Sequence, residues 1–261
     1  MTQEDLLLLQ QAKHALENPG LAARITNVIG RPIEQGMKLL PETWSQQVNA
    51  ITNRALETAL EAALVTLGKE SRARSSNIWH KIAVTATGAG GGAFGLAALA
   101  VELPVSTTII LRSIADIARS ETEDLSLPLT KLACLEVFAL GGRTSKDDAA
   151  ESGYFIVRAA LAKAVSEAAQ FMAERGIARE GAPVIARLIA LVANRFGVVV
   201  SEKVAAEAIP VVGALGGALI NLAFIDYFQK IARGHFVVRR LERVYGAAVV
   251  RSAYEGMSEK P

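Results

Sequence analysis

Apolar positions recur at helical spacing along nearly the whole chain, and polar or Gly/Pro punctuation divides them. Thr2 or Asp5 caps a first helix in which Leu6, Leu9 and Leu16 share one side, and Asn18-Pro19-Gly20 stops it. The pattern from Leu21 to Leu40 breaks at Gly30-Arg31-Pro32, because proline disfavours the helical conformation of the preceding residue. Two short helices or one kinked helix satisfy it. Pro41-Glu42-Thr43 opens a long helix to about Leu67, with Ala55, Ala59, Ala62 and Ala63 forming a narrow face for close contact. The polar run Lys69–Asn77 reads as a solvated connection whose three basic residues could also meet phosphates.

Beyond Pro104 the pattern predicts a separate helix over Val105–Arg119, broken by the acidic run Glu121-Thr122-Glu123-Asp124. Leu125–Leu140 follows with Pro128 near its start, then the break Gly141-Gly142. Lys146–Arg175 and Ala182–Ala208 are further helices, and Arg233–Tyr245 closes the fold as a basic helix. No series of alternating strands is present. The expected class is all-α, nine to eleven helices in a single multi-helix bundle with two central Gly-rich apolar helices. Residues 1–253 form one domain, and 254–261 a flexible C-terminal tail.

Those two Gly-rich stretches are Ala83–Leu103 and Ile209–Phe224. Gly90-Gly91-Gly92-Ala93-Phe94-Gly95 matches a dinucleotide-binding turn in form, but Pro104 and another apolar helix stand where that fold needs a second strand ending in an acid. The pairs Gly88/Gly92, Gly91/Gly95 and Gly213/Gly217 lie one helical turn apart, so close helix packing is the better reading. The first stretch is Ala, Gly and Thr rather than Leu and Ile, and Pro210 and Asn221 interrupt the second. A membrane span, a reversible membrane-associating hairpin and a buried helix pair all fit that composition.

Composition then narrows the classes. Hydrophobic residues make up 51% of 261 and charged residues 21%, which suits a tightly packed helical protein or one that touches lipid. A net charge of +2 gives no case for nucleic acid. Cys134, the single cysteine, packs as a small hydrophobe, and the N-terminus has no basic region or cleavage site of a secretory signal. The expected location is the cytoplasm or the inner face of a membrane. His14, His80 and His235 have no metal-ligand spacing, and no phosphate-binding loop or nucleophile elbow occurs, so no metal or cofactor is expected.

Charges inside apolar helices are the remaining candidates, since each needs a partner. Arg112 and Asp116 are one turn apart, and Glu102 can fold back toward them. Asn221 and Asp226 pose the same question in the second stretch; if the two stretches pack together, these five form one polar centre. Glu151, Tyr154 and Arg158 stand at contact spacing and offer a clasp or a polar rim to that centre.

In order along the chain, Ile29-Gly30-Arg31-Pro32-Ile33-Glu34, Glu102-Leu103-Pro104, Arg112-Ser113-Ile114-Ala115-Asp116, Glu136-Val137-Phe138-Ala139-Leu140-Gly141-Gly142, Glu151-Ser152-Gly153-Tyr154 with Arg158, and Ile209-Pro210-Val211-Val212-Gly213 through Asn221, Asp226, Phe236 and Arg239 resemble the EcsC protein family. The resemblance covers most of the chain. It implies a link with membrane processes, through the association of the family's namesake with a transporter operon that affects secretion, and it transfers no catalytic residue. The leading expectation is a protein that associates peripherally with membrane lipid or holds a lipid-like apolar small molecule, with Arg233, Arg239, Arg240 and Arg243 facing anionic headgroups. The alternatives are a hydrolase or transferase using Glu102, Asp116 and Asp226 as acid/base groups, and a helical interaction module of a membrane transport or secretion complex.

Overall fold

The computed structural model describes residues 1–17, 20–29, 33–38, 40, 43–66, 95–142, 153–175, 182–209 and 213–257. All secondary structure among the described residues is helical. Thr2 caps α1 (Gln3–Glu17): the Asp5 N–H donates to Thr2 Oγ1 at 3.1 Å, and the Thr2 hydroxyl donates to Asp5 Oδ2 at 2.7 Å. Two short helices, α2 (Leu21–Ile29) and α3 (Ile33–Met37), flank Gly30-Arg31-Pro32. In α4 (Trp44–Thr66), Ala55, Ala59 and Ala63 are buried, and the helix packs closely on its neighbours.

Pro104 does not divide the next segment as the sequence pattern predicted; α5 (Gly95–Ser120) runs through it. A mid-helix proline removes one donor, here leaving the carbonyl of Ala100 without its helical partner, but Ala100 is exposed and water can replace it. The Thr108 hydroxyl donates to the Pro104 carbonyl at 2.8 Å, and Ser106 to that of Leu103 at 3.1 Å.

Every residue of α6 (Pro128–Gly141) from Thr130 onward is buried, and the helix is packed by α4, α5, α7 (Gly153–Arg175), α8 (Pro183–Glu207) and α9 (Gly213–Tyr245). Its buried carbonyl end needs donors inside the protein. Arg195 Nε donates to the Ala139 carbonyl at 3.0 Å and the Tyr227 hydroxyl to that of Gly141 at 2.6 Å. The approach of α8 leaves no room for a side chain at Gly142, where a Cβ would lie 2.1 Å from the Arg195 carbonyl oxygen. Gly142→Ala is therefore expected to cost ~3 kcal/mol in denaturant unfolding, since backbone rather than a rotatable side chain must move; a cost under ~0.5 kcal/mol would contradict that packing.

The expected basic closing helix is the last third of α9, which continues from Gly213 to Tyr245. Gly246, at φ 88°, then turns the chain into α10 (Ala247–Gly256). That helix corrects the tail boundary predicted at residue 254. Tyr254 is fully buried and donates to Glu17 Oε1 at 3.0 Å, while Lys13 Nζ donates to the carbonyls of Tyr254 and Met257 at 2.9 and 2.7 Å. A lysine from the first helix thus caps the last one.

Helix direction places the site. Gln229 Nε2 donates to Ser113 Oγ at 2.8 Å, and Arg239 Nε to Glu123 Oε1, just past α5, at 2.8 Å. Partners advance together along both segments, so α5 and α9 run parallel. By contrast, Phe196 of α8 packs edge-to-face against Phe228 while Lys203, two turns later, lies over Phe224, so α8 is antiparallel to α9. The first turns of α5 and α9 and the last turns of α8 therefore meet at one end of the bundle.

Candidate functional site

At that end Lys203 is completely buried on α8, and its ammonium holds two carboxylates: Glu102 Oε1 at 2.6 Å and Glu207 Oε1 at 3.0 Å. The ring of Phe224 lies 5.6 Å from the same nitrogen. Burial alone would lower the lysine's pKa, but the charges of Glu207 and Glu102 and their hydrogen bonds more than offset it, so Lys203 stays protonated. One cation therefore serves two anions.

Exposed apolar side chains lie close in sequence to the residues of this clasp and to Phe224. Val101 and Val105 flank Glu102 within a turn, and Leu219 and Leu222 precede Phe224 by five and two residues; Val101 is 61% and Leu222 57% exposed. Residues 98–120 of α5 and all of α8 are long and apolar enough to cross a membrane by length and composition. Both also carry core residues, Leu103, Ile110 and Ile114 on α5 and Val192, Phe196 and Val200 on α8, which places each helix in the bundle. The Gly-rich residues 83–94 lie outside the described residues.

The predicted polar centre of five is not assembled. Asp116 turns to Arg119 at 2.7 Å on the surface rather than to Arg112, whose guanidinium makes no ion pair among the described residues. Asp226, half-exposed, pairs with Lys230 at 2.8 Å and Arg24 at 3.5 Å; Asn221 is half-buried on the same helix. The physical reason is local: each surface carboxylate finds a cation one turn away or on the adjoining helix, at lower desolvation cost than a shared buried centre. The three carboxylates expected to act together as acid and base each have separate cationic partners. Glu151 lies outside the described residues.

Tyr154 and Arg158 do meet, one turn apart on α7, in a second buried network. Arg158 donates to Tyr154 Oη at 3.3 Å and to both oxygens of Glu242 at 2.8 and 3.0 Å. Tyr154 Oη lies 3.0 Å from His235 Nδ1. Burial, reinforced by Arg158 and Arg239, holds the His235 pKa well below its usual value, so the imidazole is neutral. The other ring nitrogen, Nε2, is a buried atom with no hydrogen-bond partner among the described residues. Beside this network is a cavity of about 10 Å³ lined by Leu16, Glu17, Leu140, Gly153, Tyr154, Val157 and Arg195. It has room for about one water and none for an apolar ligand.

The arginines expected to face headgroups are divided. Arg239 and Arg243 both grip Glu123, Arg240 Nε donates to Glu121 Oε2 at 2.8 Å, and Arg243 also donates to the Glu121 carbonyl at 2.6 Å. Burial would raise the Glu123 carboxyl, but Arg239 and Arg243 hold it below its ordinary value. These three arginines tie α9 to the turn after α5, whereas Arg233 is exposed. The acidic run that interrupts the helical pattern after Arg119 supplies their partners.

Sequence reasoning passed over Lys203, Glu207 and Glu242. Lys203 had a partial signal, a lysine that follows Ser201 and Glu202 between the apolar runs Val198–Val200 and Val204–Ala206. Its partnership with Glu102, 101 residues away, had none.

The sequence model of the EcsC protein family matches residues 3–241. The chain belongs to the EcsC protein family. In EcsC terms the matched span holds the clasp and, of the second network, Tyr154, Arg158 and His235, while Glu242 and α10 lie beyond it. No curated protein and no solved structure matches the chain.

Proposed function

We propose that this EcsC protein associates peripherally and reversibly with the cytoplasmic face of a membrane, through the end at which α5 and α9 begin. The observation that carries this reading is the exposure of Val101, Val105, Leu219 and Leu222 around a charged clasp that is itself internally paired. Sequence continuity adds to it, since neither 83–101 nor 208–225 contains a charged residue. Full burial of a Val or Leu side chain is worth about 1.5–3 kcal/mol, so four partly buried ones supply a few kcal/mol, the scale of reversible binding. Three of the four C-terminal arginines are already paired, so attraction to anionic headgroups contributes little.

Co-sedimentation of the full chain with phosphatidylcholine vesicles tests this. Binding is expected to survive a rise in salt from ~0.1 M to ~1 M, which shortens the Debye length from about 10 Å to about 3 Å. The double variant Val101→Asp, Leu222→Asp is expected to bind at least tenfold more weakly, with unchanged helicity. Absence of wild-type binding, or equal binding by the variant, would remove the reading. A stoichiometric protein partner in a pull-down, without lipid binding, would support an interaction module instead.

A further inference from the structure

The clasp holds one more negative charge than positive, and it sits directly behind the apolar end. Lys203 is entirely buried and Glu102 is 20% exposed, whereas Glu207 keeps 30% of its side chain open, so it alone combines an ion pair to the buried lysine with substantial access to solvent protons. Covering this end with lipid would remove the water that now screens the extra charge. Two outcomes are open to the clasp: it stays ionised and opposes contact, or it takes up a proton and becomes neutral overall.

We propose that membrane association is coupled to uptake of one proton by the Lys203 clasp, with Glu207 as the acceptor. The inference rests on the membrane reading above. Among the described residues, the charged groups around the clasp from each packed helix are these. α5 contributes Glu102 itself. On α8, Glu202 directly precedes the lysine and accepts from the Ala22 N–H at the start of α2 at 3.2 Å; burial pushes its pKa up to about 7. On α9 and α2, Asp226 is paired with Lys230 and Arg24. α3 brings the backbone of Gly36 against Ala205 and is followed by the exposed Lys38, which makes no ion pair among the described residues, and α4 carries Arg54, Glu57 and Glu61 on its exposed side. None of the described neighbours supplies a second cation to Lys203's two carboxylates. Burial and the charge of Glu102 raise the pKa of Glu207, and Lys203 only partly reverses this.

The test is partitioning of the full chain onto phosphatidylcholine vesicles across pH ~5 to ~8, with helicity followed in parallel. Wild-type binding is expected to strengthen as pH falls, by up to about tenfold per pH unit, the limit for one linked proton. Glu207→Gln is expected to bind at pH ~8 as the wild type does at pH ~5 and to lose the slope. Glu102→Gln should flatten the profile too, because the remaining carboxylate then has the lysine to itself. Glu202→Gln should keep the wild-type slope. Wild-type binding without a pH slope, a slope retained in Glu207→Gln, or a slope lost only in Glu202→Gln overturns the coupling while leaving the membrane reading intact. Absence of wild-type binding at every pH overturns both.

Discussion

Glu136→Gln is expected to raise the stability of the folded protein by ~3 kcal/mol at pH ~8 and to leave it nearly unchanged at pH ~4. Glu136 lies in the middle of α6, where every residue from Thr130 to Gly141 is buried, and its carboxylate has no hydrogen-bond partner among the described residues. Burial pushes its pKa up to about 7; the nearby Arg158 and Arg239 pull it down only in part, and Glu242 pushes it further up. The unfolded chain loses this proton near the ordinary glutamate value of about 4.3, the folded chain not until about 7. Between those values the folded state holds a proton that the unfolded state has released, so stability falls as pH rises through the window and is flat above it. An amide imitates the protonated form and removes the loss. Urea unfolding of both proteins at the two pH values measures the difference; equal effects at the two, or a destabilised variant at pH ~8, would show that Glu136 is paired and ionised.

Much of this fold is legible in the hydrophobic period because helix ends are local events. Thr2, Gly30-Arg31-Pro32, Pro128 and Gly141-Gly142 mark boundaries that the structure keeps. Pro104 misleads because its missing donor is cheap where Ala100 faces water, a property of the tertiary environment that a dipeptide does not encode. The C-terminal boundary misleads for a similar reason: Glu255–Pro261 is polar and carries Gly256, but Tyr254 is held by Glu17 and its carbonyl by Lys13 from the other end of the chain.

The candidate site divides along the same line. Tyr154 with Arg158 was readable from i, i+4 spacing, and the structure keeps their contact. Arg112 with Asp116 had the same spacing, but Arg119 competes for the carboxylate from the next turn. Arg239, Arg240 and Arg243 read as a basic surface because their acids, Glu121 and Glu123, are more than a hundred residues away. Spacing proposes partners within a helix; it carries no information about which acid the adjoining helix presents.

Lys203→Met is expected to cost ~3–5 kcal/mol at pH ~8, the largest effect of any single substitution at the apolar end. Methionine fills the space of the lysine stem but leaves Glu102 and Glu207 facing each other beside the Phe224 ring without a counter-charge. Their repulsion and burial then both favour protonation, so the cost should shrink as pH falls toward ~5, where uptake of one proton relieves it. Adding Glu102→Gln and Glu207→Gln to Lys203→Met removes the stranded charges and should recover most of the lost stability even at pH ~8, because replacing a whole buried ion cluster is far less costly than deleting one member. Denaturant unfolding of the single and triple variants at both pH values separates the contributions. If the single variant loses less than ~1 kcal/mol at pH ~8, or the triple variant recovers nothing, Lys203 acts through packing of its stem, and the excess charge assigned to the clasp is not there to be neutralised.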